Sequence, residues 1–243
     1  MLPSGCWATW ILASVALGAP STPVLNRRAV VAHDSLNPIA TRVQPGTNGA
    51  AITRFNPKLH IASGCQPYTA VDDAGNTSGG LNPSGSSTGG CRDTAKGQTY
   101  ARIGALNGKT GIMYSWYFPK DQLADGISTG AHRHDWEAMV VWIDDPAAAT
   151  PKVLGGAASG HGEFKKVTGA LQGGDSAQVE YFASFPTNHE LQFTDTVGVT
   201  YAVSDWDAMP AAEKAALQDT DFGSANVPFK DGNFESNLAK AEI

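Results

Sequence analysis

The chain contains 243 residues, of which 42% are apolar and 16% charged, and its formal net charge at pH 7 is −6. This composition excludes a disordered chain, and the length suffices for one larger domain or two small ones with a real core. The acidic balance and the scattered Lys and Arg residues argue against nucleic acid as a partner and against a polybasic membrane anchor.

The N-terminus has the pattern of a secretory leader. Residues 1–26 carry no charged side chain, and the apolar run 6–19 ends in small residues that fit a small-x-small cleavage pattern. The run is too short to span a bilayer comfortably. A buried N-terminal helix is the alternative, because no Lys or Arg precedes the run. We predict a signal peptide over residues 1–19.

A dibasic step follows the leader. Arg27 and Arg28 stand just before the sequence becomes typical of a folded domain, and processing proteases cleave at such steps. We predict a short pro-segment over 20–28 and a secreted, extracellular domain over 29–243. Residues 1–28 contain these two arginines and no acidic residue, so the secreted domain carries a net charge of −8, two positive charges fewer than the whole chain.

Removal of the leader also removes Cys6 and leaves Cys65 and Cys91, an even pair in an oxidising compartment. The Gly- and Ser-rich stretch 78–90 between them cannot pack a core and is predicted to be a surface loop. We expect a disulfide between the two cysteines, with two free buried thiols as the alternative. Asn76 begins an N-glycosylation sequon and is a candidate glycosylation site.

Further along the chain, the apolar pattern mostly has the period of two that indicates strands. Residues 112–118, 137–143 and 179–185 are rich in aromatic and β-branched residues and are bounded by Gly, Pro, Asn and Asp. The tryptophans on these patterns are expected in the core: Trp116, Trp136 and Trp142. The sequence therefore predicts one mainly β domain, a β-sandwich with a few helices.

The chemically richest segment is residues 130–137, GAHRHDWE, which combines two imidazoles, a guanidinium and two carboxylates. Burying these groups is unfavourable unless something pairs with them, and a divalent cation would do so. Alternation along a strand places Asp135 and Glu137 on one face. His132 would point away from them, so it can be a ligand only if the segment before Asp135 is a loop or a bulge.

A further oxygen ligand is available upstream, at Asp121, with Asp125 as a second candidate. The set Asp121, His132, Asp135 and Glu137 is rich in oxygen, which suits Mg²⁺, Ca²⁺ or Mn²⁺ better than structural Zn²⁺. Next to these ligands, Arg133 and His134 could orient them or form a rim for an anionic ligand. A salt-bridge network of Arg133 with Asp135 or Glu137 is the alternative.

Helices are predicted at three places. The clearest begins at Ser204, whose hydroxyl can cap it while Asp207 lies three residues later, and it continues to residue 217. A second, short helix is predicted after Asn233. A third could begin at His33.

The heptapeptide AHRHDWE resembles the GHRHDWE signature of the necrosis- and ethylene-inducing peptide 1-like (NLP) proteins, which are secreted microbial plant cytolysins. GIMYSWYFPKD at 111–121 resembles the family's other hallmark segment, and residues 221–234 and 186–189 also look like family sequence. The pair Cys65 and Cys91 resembles the two-cysteine type 1 subgroup. The resemblance covers the whole predicted secreted domain.

This resemblance implies a β-sandwich flanked by helices, similar to actinoporins and fungal lectins, with a cation at the base of an acidic cavity. Matched by motif position, the family's cation ligands fall on Asp121, His132, Asp135 and Glu137. His189 matches a family histidine close to the cavity, and a buried histidine bonded to a backbone carbonyl is the alternative. Phe185 is a candidate rim aromatic at the membrane.

The resemblance also implies a function. Family members bind the sugar head group of glycosylinositol phosphorylceramides in the plant plasma membrane, permeabilise that membrane and cause necrosis. The segment 111–137 resembles a pattern that plants sense, so a plant pattern-recognition receptor is a second expected partner. The implied protein is a monomeric toxin and not an enzyme.

Three departures from the family pattern leave lytic potency open. Ala131 stands where the signature has Gly, which would strain a turn with positive φ. Gly111 replaces Ala in the hallmark strand, and the linker 122–130 is longer than usual in the family. Asp121 then reaches the ion only if the extra residues loop out.

Two other functions are considered. A cupin-like metalloenzyme would use His132 and His134 as an HxH pair, although Glu137 follows too soon for that motif. The HExxH motif does not occur in the sequence. A non-toxic sugar-binding lectin is the second alternative.

Overall fold

A computed structural model describes Met1, residues 28–185 and residues 188–243. All of the predicted signal peptide except Met1 and all of the predicted pro-segment except Arg28 lie outside the described residues, as does Pro186, so those assignments stay predictions. In the described part of the chain, no helix is long and apolar enough to cross a membrane.

The described residues form eleven strands and three α-helices, numbered here in chain order. The strands are β1 (Val30–Val31), β2 (Lys58–Ile61), β3 (Thr77–Ser78), β4 (Thr99–Leu106), β5 (Lys109–Asp121), β6 (His132–Ile143), β7 (Val153–Gly160), β8 (Glu163–Thr168), β9 (Gln178–Ala183), β10 (His189–Phe193) and β11 (Val203–Asp205). The helices are α1 (Thr47–Arg54), α2 (Ala211–Asp219) and α3 (Phe234–Lys240).

Two sheets pack face to face. The main sheet has the order β11-β4-β5-β6-β7-β8 and is antiparallel except where β11 joins β4. The second sheet has the order β10-β9-β2. The contact between them includes Phe118 of β5, which stacks on Tyr181 of β9 with ring centroids 3.8 Å apart. This confirms the predicted mainly β sandwich with a few helices.

The central strands β5 and β6 are buried on both faces over most of their length. Tyr114 of β5 donates its hydroxyl to the carbonyl of Ile52 in α1, at 2.9 Å. On the opposite face, Trp142 of β6 donates its indole N–H to the carbonyl of Ala241, just after α3, at 2.8 Å. The three tryptophans predicted to lie in the core are all buried.

The helix predictions are correct only in part. The helix after Asn233 is confirmed as α3. The helix predicted from Ser204 begins later, at Ala211, because Ser204 lies in strand β11 and Pro210 marks the helix start. His33 lies in a turn and not in a helix. Helix α1 was not predicted, since its sequence, TNGAAITR, carries only a short apolar stripe.

Cys65 and Cys91 form the predicted disulfide, with their Cα atoms 5.1 Å apart. Both cysteines are buried, and the Gly- and Ser-rich loop between them lies mostly at the surface. Asn76 lies in the turn before β3. Its side-chain amide donates to Asp72 at 2.8 Å, so a glycan on this nitrogen would compete with that contact.

Replacing both cysteines tests how much the disulfide stabilises the fold. The bond closes a loop with a sequence separation of 26 residues. We expect the Cys65→Ala/Cys91→Ala variant to unfold with a free energy lower by about 3 kcal/mol, from the restricted entropy of the unfolded chain. Chemical denaturation measures this. Reduced wild-type protein should show a similar loss, and equal unfolding midpoints for variant and wild type would contradict the prediction.

Candidate metal centre

The candidate site lies at an open edge of the main sheet. Strand β6 pairs with β7 only from Met139 onward. Residues 132–138 of β6 therefore extend beyond β7, and a cavity of about 540 Å³ lies along this edge. Its walls come from β6, from the β7–β8 hairpin, from the start of β10 and from residues 224–240.

Three predicted ligands converge at one end of this cavity. Side-chain atoms of Asp121, His132 and Asp135 all lie within 4.8 Å of one another. Asp121 and His132 are directly opposite each other on β5 and β6, so their side chains share a face. The linker 122–130 forms a loop without helix or strand between them.

His132 and Asp135 lie close together, but not through the loop or bulge that the sequence predicted. The segment is neither a loop nor a register-shifting bulge, because β6 already begins at His132. Instead, His134 has a left-handed backbone with φ of 61°, which interrupts the alternation of side chains. The strain predicted at Ala131 is absent, since the positive φ of 73° falls on Gly130.

A backbone hydrogen bond fixes the tautomer of His132. Its Nδ1 lies 2.6 Å from the carbonyl oxygen of His134, and a carbonyl can only accept, so Nδ1 carries the proton. The lone pair of the neutral ring is then on Nε2, which lies 3.7 Å from Oδ2 of Asp121. Metal-binding histidines commonly donate their other N–H to a carbonyl in this way.

His189, at the start of β10, holds the carboxylate of Asp121. Its Nδ1 donates to Oδ1 of Asp121 at 2.6 Å, and its backbone N–H donates to Oδ2 at 3.2 Å. The ring also stacks on Tyr181 with centroids 4.6 Å apart. The partner of His189 is thus a carboxylate, and not the backbone carbonyl of the alternative prediction.

The other two carboxylates are held by groups from different elements. Asp135 accepts hydrogen bonds from the Tyr181 hydroxyl at 2.8 Å and from the backbone N–H of Trp136 at 2.9 Å. Glu137 accepts from the hydroxyl of Ser159 in β7. Glu137 lines the same cavity, but among the described residues only Asp121, His132 and Asp135 form the cluster of donor atoms.

The site contains three buried carboxyl groups. Asp121, Asp135 and Glu137 are at most 7% exposed. Burial, and then the charge of Asp121, raise the pKa of Asp135 to about 7. Burial, and then the charge of Asp135, raise the pKa of Glu137 well above its ordinary value. The Asp121, His132 and Asp135 group could bind a metal ion, which would remove this repulsion.

Four other predicted residues lie away from this cluster. Arg133 donates to the carbonyl of Gly79 at 2.6 Å, and not to Asp135 or Glu137. His134 contacts the Tyr117 hydroxyl through Nδ1 at 2.6 Å, so His132 and His134 do not form a cupin-like pair. Asp125 accepts from the backbone of Ser87. Phe185 lies in the turn after β9 and is 85% exposed.

Sequence reasoning missed the residues that hold the β7–β8 hairpin against β10. Glu190 is buried, and its carboxylate lies 2.6 Å from Nζ of Lys165 and 3.6 Å from Nε2 of His161. These contacts fix the hairpin that carries Ser159. The local sequence pattern gives no signal for these contacts, because Glu190 lies 25 residues after Lys165 and 29 residues after His161 along the chain.

Protons and a cation should compete for Asp135. Its pKa in the cation-free protein is about 7, above that of an ordinary carboxyl, so ionisation destabilises the fold and stability falls as pH rises from about 4 to 7. We expect Mg²⁺ or Ca²⁺ to raise the melting temperature more at pH 8 than at pH 5. Thermal unfolding with and without chelator measures this, and a pH-independent cation effect would contradict it.

The substitution Gly64→Ala tests whether His189 supports cation binding by holding Asp121. A Cβ at this position would lie 2.6 Å from Nε2 of His189, and φ is +78°. We expect Gly64→Ala to displace His189 and weaken cation binding about tenfold, measured by calorimetric titration. Gly126→Ala is the matched control, since it has a similar φ of +74° but nothing within 4 Å. Equal cation affinity in the two variants would contradict the prediction.

The chain matches the family model of the necrosis inducing protein NPP1 over residues 49–241. It is 46% identical over 237 residues to NLP effector protein 10 of Phytophthora capsici, covering 96% of this chain and 97% of that protein. It is 43% identical over 217 residues to the necrosis-inducing protein NPP1 of Phytophthora nicotianae, covering 87% and 90% of the two chains.

Solved structures agree with this match. NLPPya in complex with mannosamine has a TM-score of 0.80 and 45% identity, covering 88% of this chain and all of that one. The non-toxic protein HaNLP3 has a TM-score of 0.81 and 38% identity, covering 86% and 98% of the two chains. The relatives are named as necrosis-inducing effectors and toxins, not as enzymes. This chain therefore belongs to the NPP1 family of necrosis-inducing NLP proteins.

Proposed function

We propose that this protein is a secreted cytolysin that binds the sugar head group of glycosylinositol phosphorylceramide in the plant plasma membrane. Binding requires a divalent cation, and it leads to permeabilisation of the membrane, necrosis and a plant immune response. The observation that carries the proposal is the convergence of Asp121, His132 and Asp135 at the end of an open cavity.

The proposed cation ligands are Asp121, His132, Asp135 and Glu137. Three carboxylates and one imidazole suit Mg²⁺ or Ca²⁺ and, less well, Mn²⁺. Glu137 lies outside the cluster of donor atoms, so we assign it contact through an intervening water molecule. When bound, the ion would neutralise the buried charge and attract hydroxyl oxygens of a sugar.

A sugar is the ligand that the comparisons support. NLPPya has been solved in complex with mannosamine and with glucosamine, and this chain is 45% and 44% identical to those structures. Both ligands are amino sugars, whose ammonium group complements an acidic cavity. The cavity here opens to solvent, so a head group that projects from a membrane could enter it.

Phe185 is the proposed membrane contact. It is 85% exposed, and it lies three residues before Asn188, which lines the cavity. A large exposed aromatic side chain is unfavourable in water and favourable at a membrane interface. Together, a head group in the cavity and Phe185 in the bilayer would anchor one molecule, which we take to be a monomer.

The proposed recognition of segment 111–137 by a plant receptor has a structural condition. Residues 111–121 are buried without exception in strand β5. A receptor can contact them only after the chain has been unfolded or cleaved. Immune sensing would then be independent of the cation and of lysis.

A non-toxic sugar-binding protein of the same family is the second candidate. It is favoured by the similarity to HaNLP3, which is named as non-toxic and has a TM-score of 0.81 to this chain. Such a protein would bind the head group and leave the membrane intact.

Dye leakage from vesicles tests the cytolysin. We expect the protein to release dye from vesicles that contain the plant sphingolipid, and not from vesicles that lack it. Chelator, or the substitution Asp135→Asn, should reduce leakage at least tenfold. The matched control is Asp175→Asn, which changes an exposed aspartate paired with Arg54 at the surface.

Leakage that persists in chelator and in Asp135→Asn would refute the cation requirement. Cation-dependent binding to the vesicles without leakage would favour the non-toxic candidate. Leakage that is equal with and without the sphingolipid would refute the proposed head group.

A further inference from the structure

The cavity has a second end that the proposed cation ligands do not reach. This end is lined by the C-terminal part of the chain, where Ala225 and Pro228 lie among six polar residues, here called the C-terminal wall: Ser224, Asn226, Asn233, Ser236, Asn237 and Lys240. A surface that binds the hydroxyl groups of a sugar needs several hydrogen-bond donors and acceptors close together, and these six residues supply both.

The two ends of the cavity lie on opposite sides of the main sheet. Asp135 and Glu137 point toward the second sheet, where Tyr181 contacts Asp135. The C-terminal wall belongs to the layer on the other face, where the intervening Trp136 contacts Phe229. Layers on a sheet are about 10 Å from it, so a ligand that contacts both ends must bend around the edge of β6 and exceed one sugar ring.

The C-terminal wall is rigidly built. Asn233 and Asn237 donate their amide groups to the carbonyls of Val227 at 3.0 Å and Pro228 at 2.9 Å. These bonds orient both amides and leave their oxygens as acceptors. Groups that are fixed before a ligand arrives lose little entropy on binding.

Lys240 joins this wall to the opposite side of the cavity. Its ammonium donates to the carbonyl of Gly162, in the β7–β8 hairpin, at 2.9 Å. An ammonium has three donors, so two remain for a ligand. Ser224 and Asn226 are exposed and add a hydroxyl and an amide group that both donate and accept. Ser236 is also exposed, and its hydroxyl donates to the carbonyl of Asn233 at 2.9 Å, which leaves its oxygen as an acceptor.

We propose that the C-terminal wall is a second saccharide subsite, which binds the ring next to the one held at the cation end. The inference rests on the proposed function, because the first ring must enter the cavity. It identifies the ligand as at least a disaccharide, and it assigns recognition of the second ring to Ser224, Asn226, Ser236, Asn237 and Lys240.

Calorimetric titration with saturating Ca²⁺ tests the subsite. The probes are glucosamine and three disaccharides in which glucosamine is joined to glucose, to mannose or to a second glucosamine. We expect at least one disaccharide to bind ten times more tightly than glucosamine. Ser236→Leu and Asn226→Ala should each remove most of that gain and leave the affinity for glucosamine unchanged.

Ala239→Leu is the matched control, since it places the same side chain on an exposed position of α3 outside the cavity. It should bind all probes as wild type does. If glucosamine binds but no disaccharide binds more tightly, or if the gain survives both substitutions, the subsite is refuted. If glucosamine itself does not bind, the proposed sugar site fails, and this inference fails with it.

Discussion

The structure depends on the burial of three carboxylates at one edge of a sheet, none of which forms an ion pair with a Lys or Arg among the described residues. Asp121, Asp135 and Glu137 repel one another in a place that water hardly reaches, and a fold does not keep such a cluster for stability. The pKa values of Asp135 and Glu137 are raised by burial and by this repulsion. A bound cation would offset this repulsion, and the group of Asp121, His132 and Asp135 could hold one.

Each member of the cluster is oriented by a different layer of the protein. His189 and Tyr181 come from the second sheet, Ser159 comes from the β7–β8 hairpin, and the tautomer of His132 is set within β6 itself. The site is therefore complete only when the two sheets have packed. Displacement of either sheet by a fraction of an ångström would change the distances between the ligand atoms, which couples cation affinity to the integrity of the sandwich.

The sequence predicted the fold class, the central strands, the disulfide and the residues that meet in the cavity. It predicted them because strand periodicity and a dense polar motif are local signals. It could not predict that His134 would be left-handed, since this depends on pairing with β5 and on burial against Tyr117. It placed the start of α2 seven residues early, because the cap signal at Ser204 was overridden by pairing of β11 with β4. The contacts of Glu190 and Tyr181 are long-range and left no local pattern.

The open edge of β6 also bears on self-association. A strand with unpaired backbone groups is a template on which another chain can add a strand, and this is how folded β proteins aggregate. Here the backbone N–H groups of Trp136 and Ala138 already donate to the side chains of Asp135 and Ser159, and the carbonyl of His134 accepts from the ring of His132. The side chains that build the acidic cavity thus also occupy the edge on which a strand of another copy would have to pair.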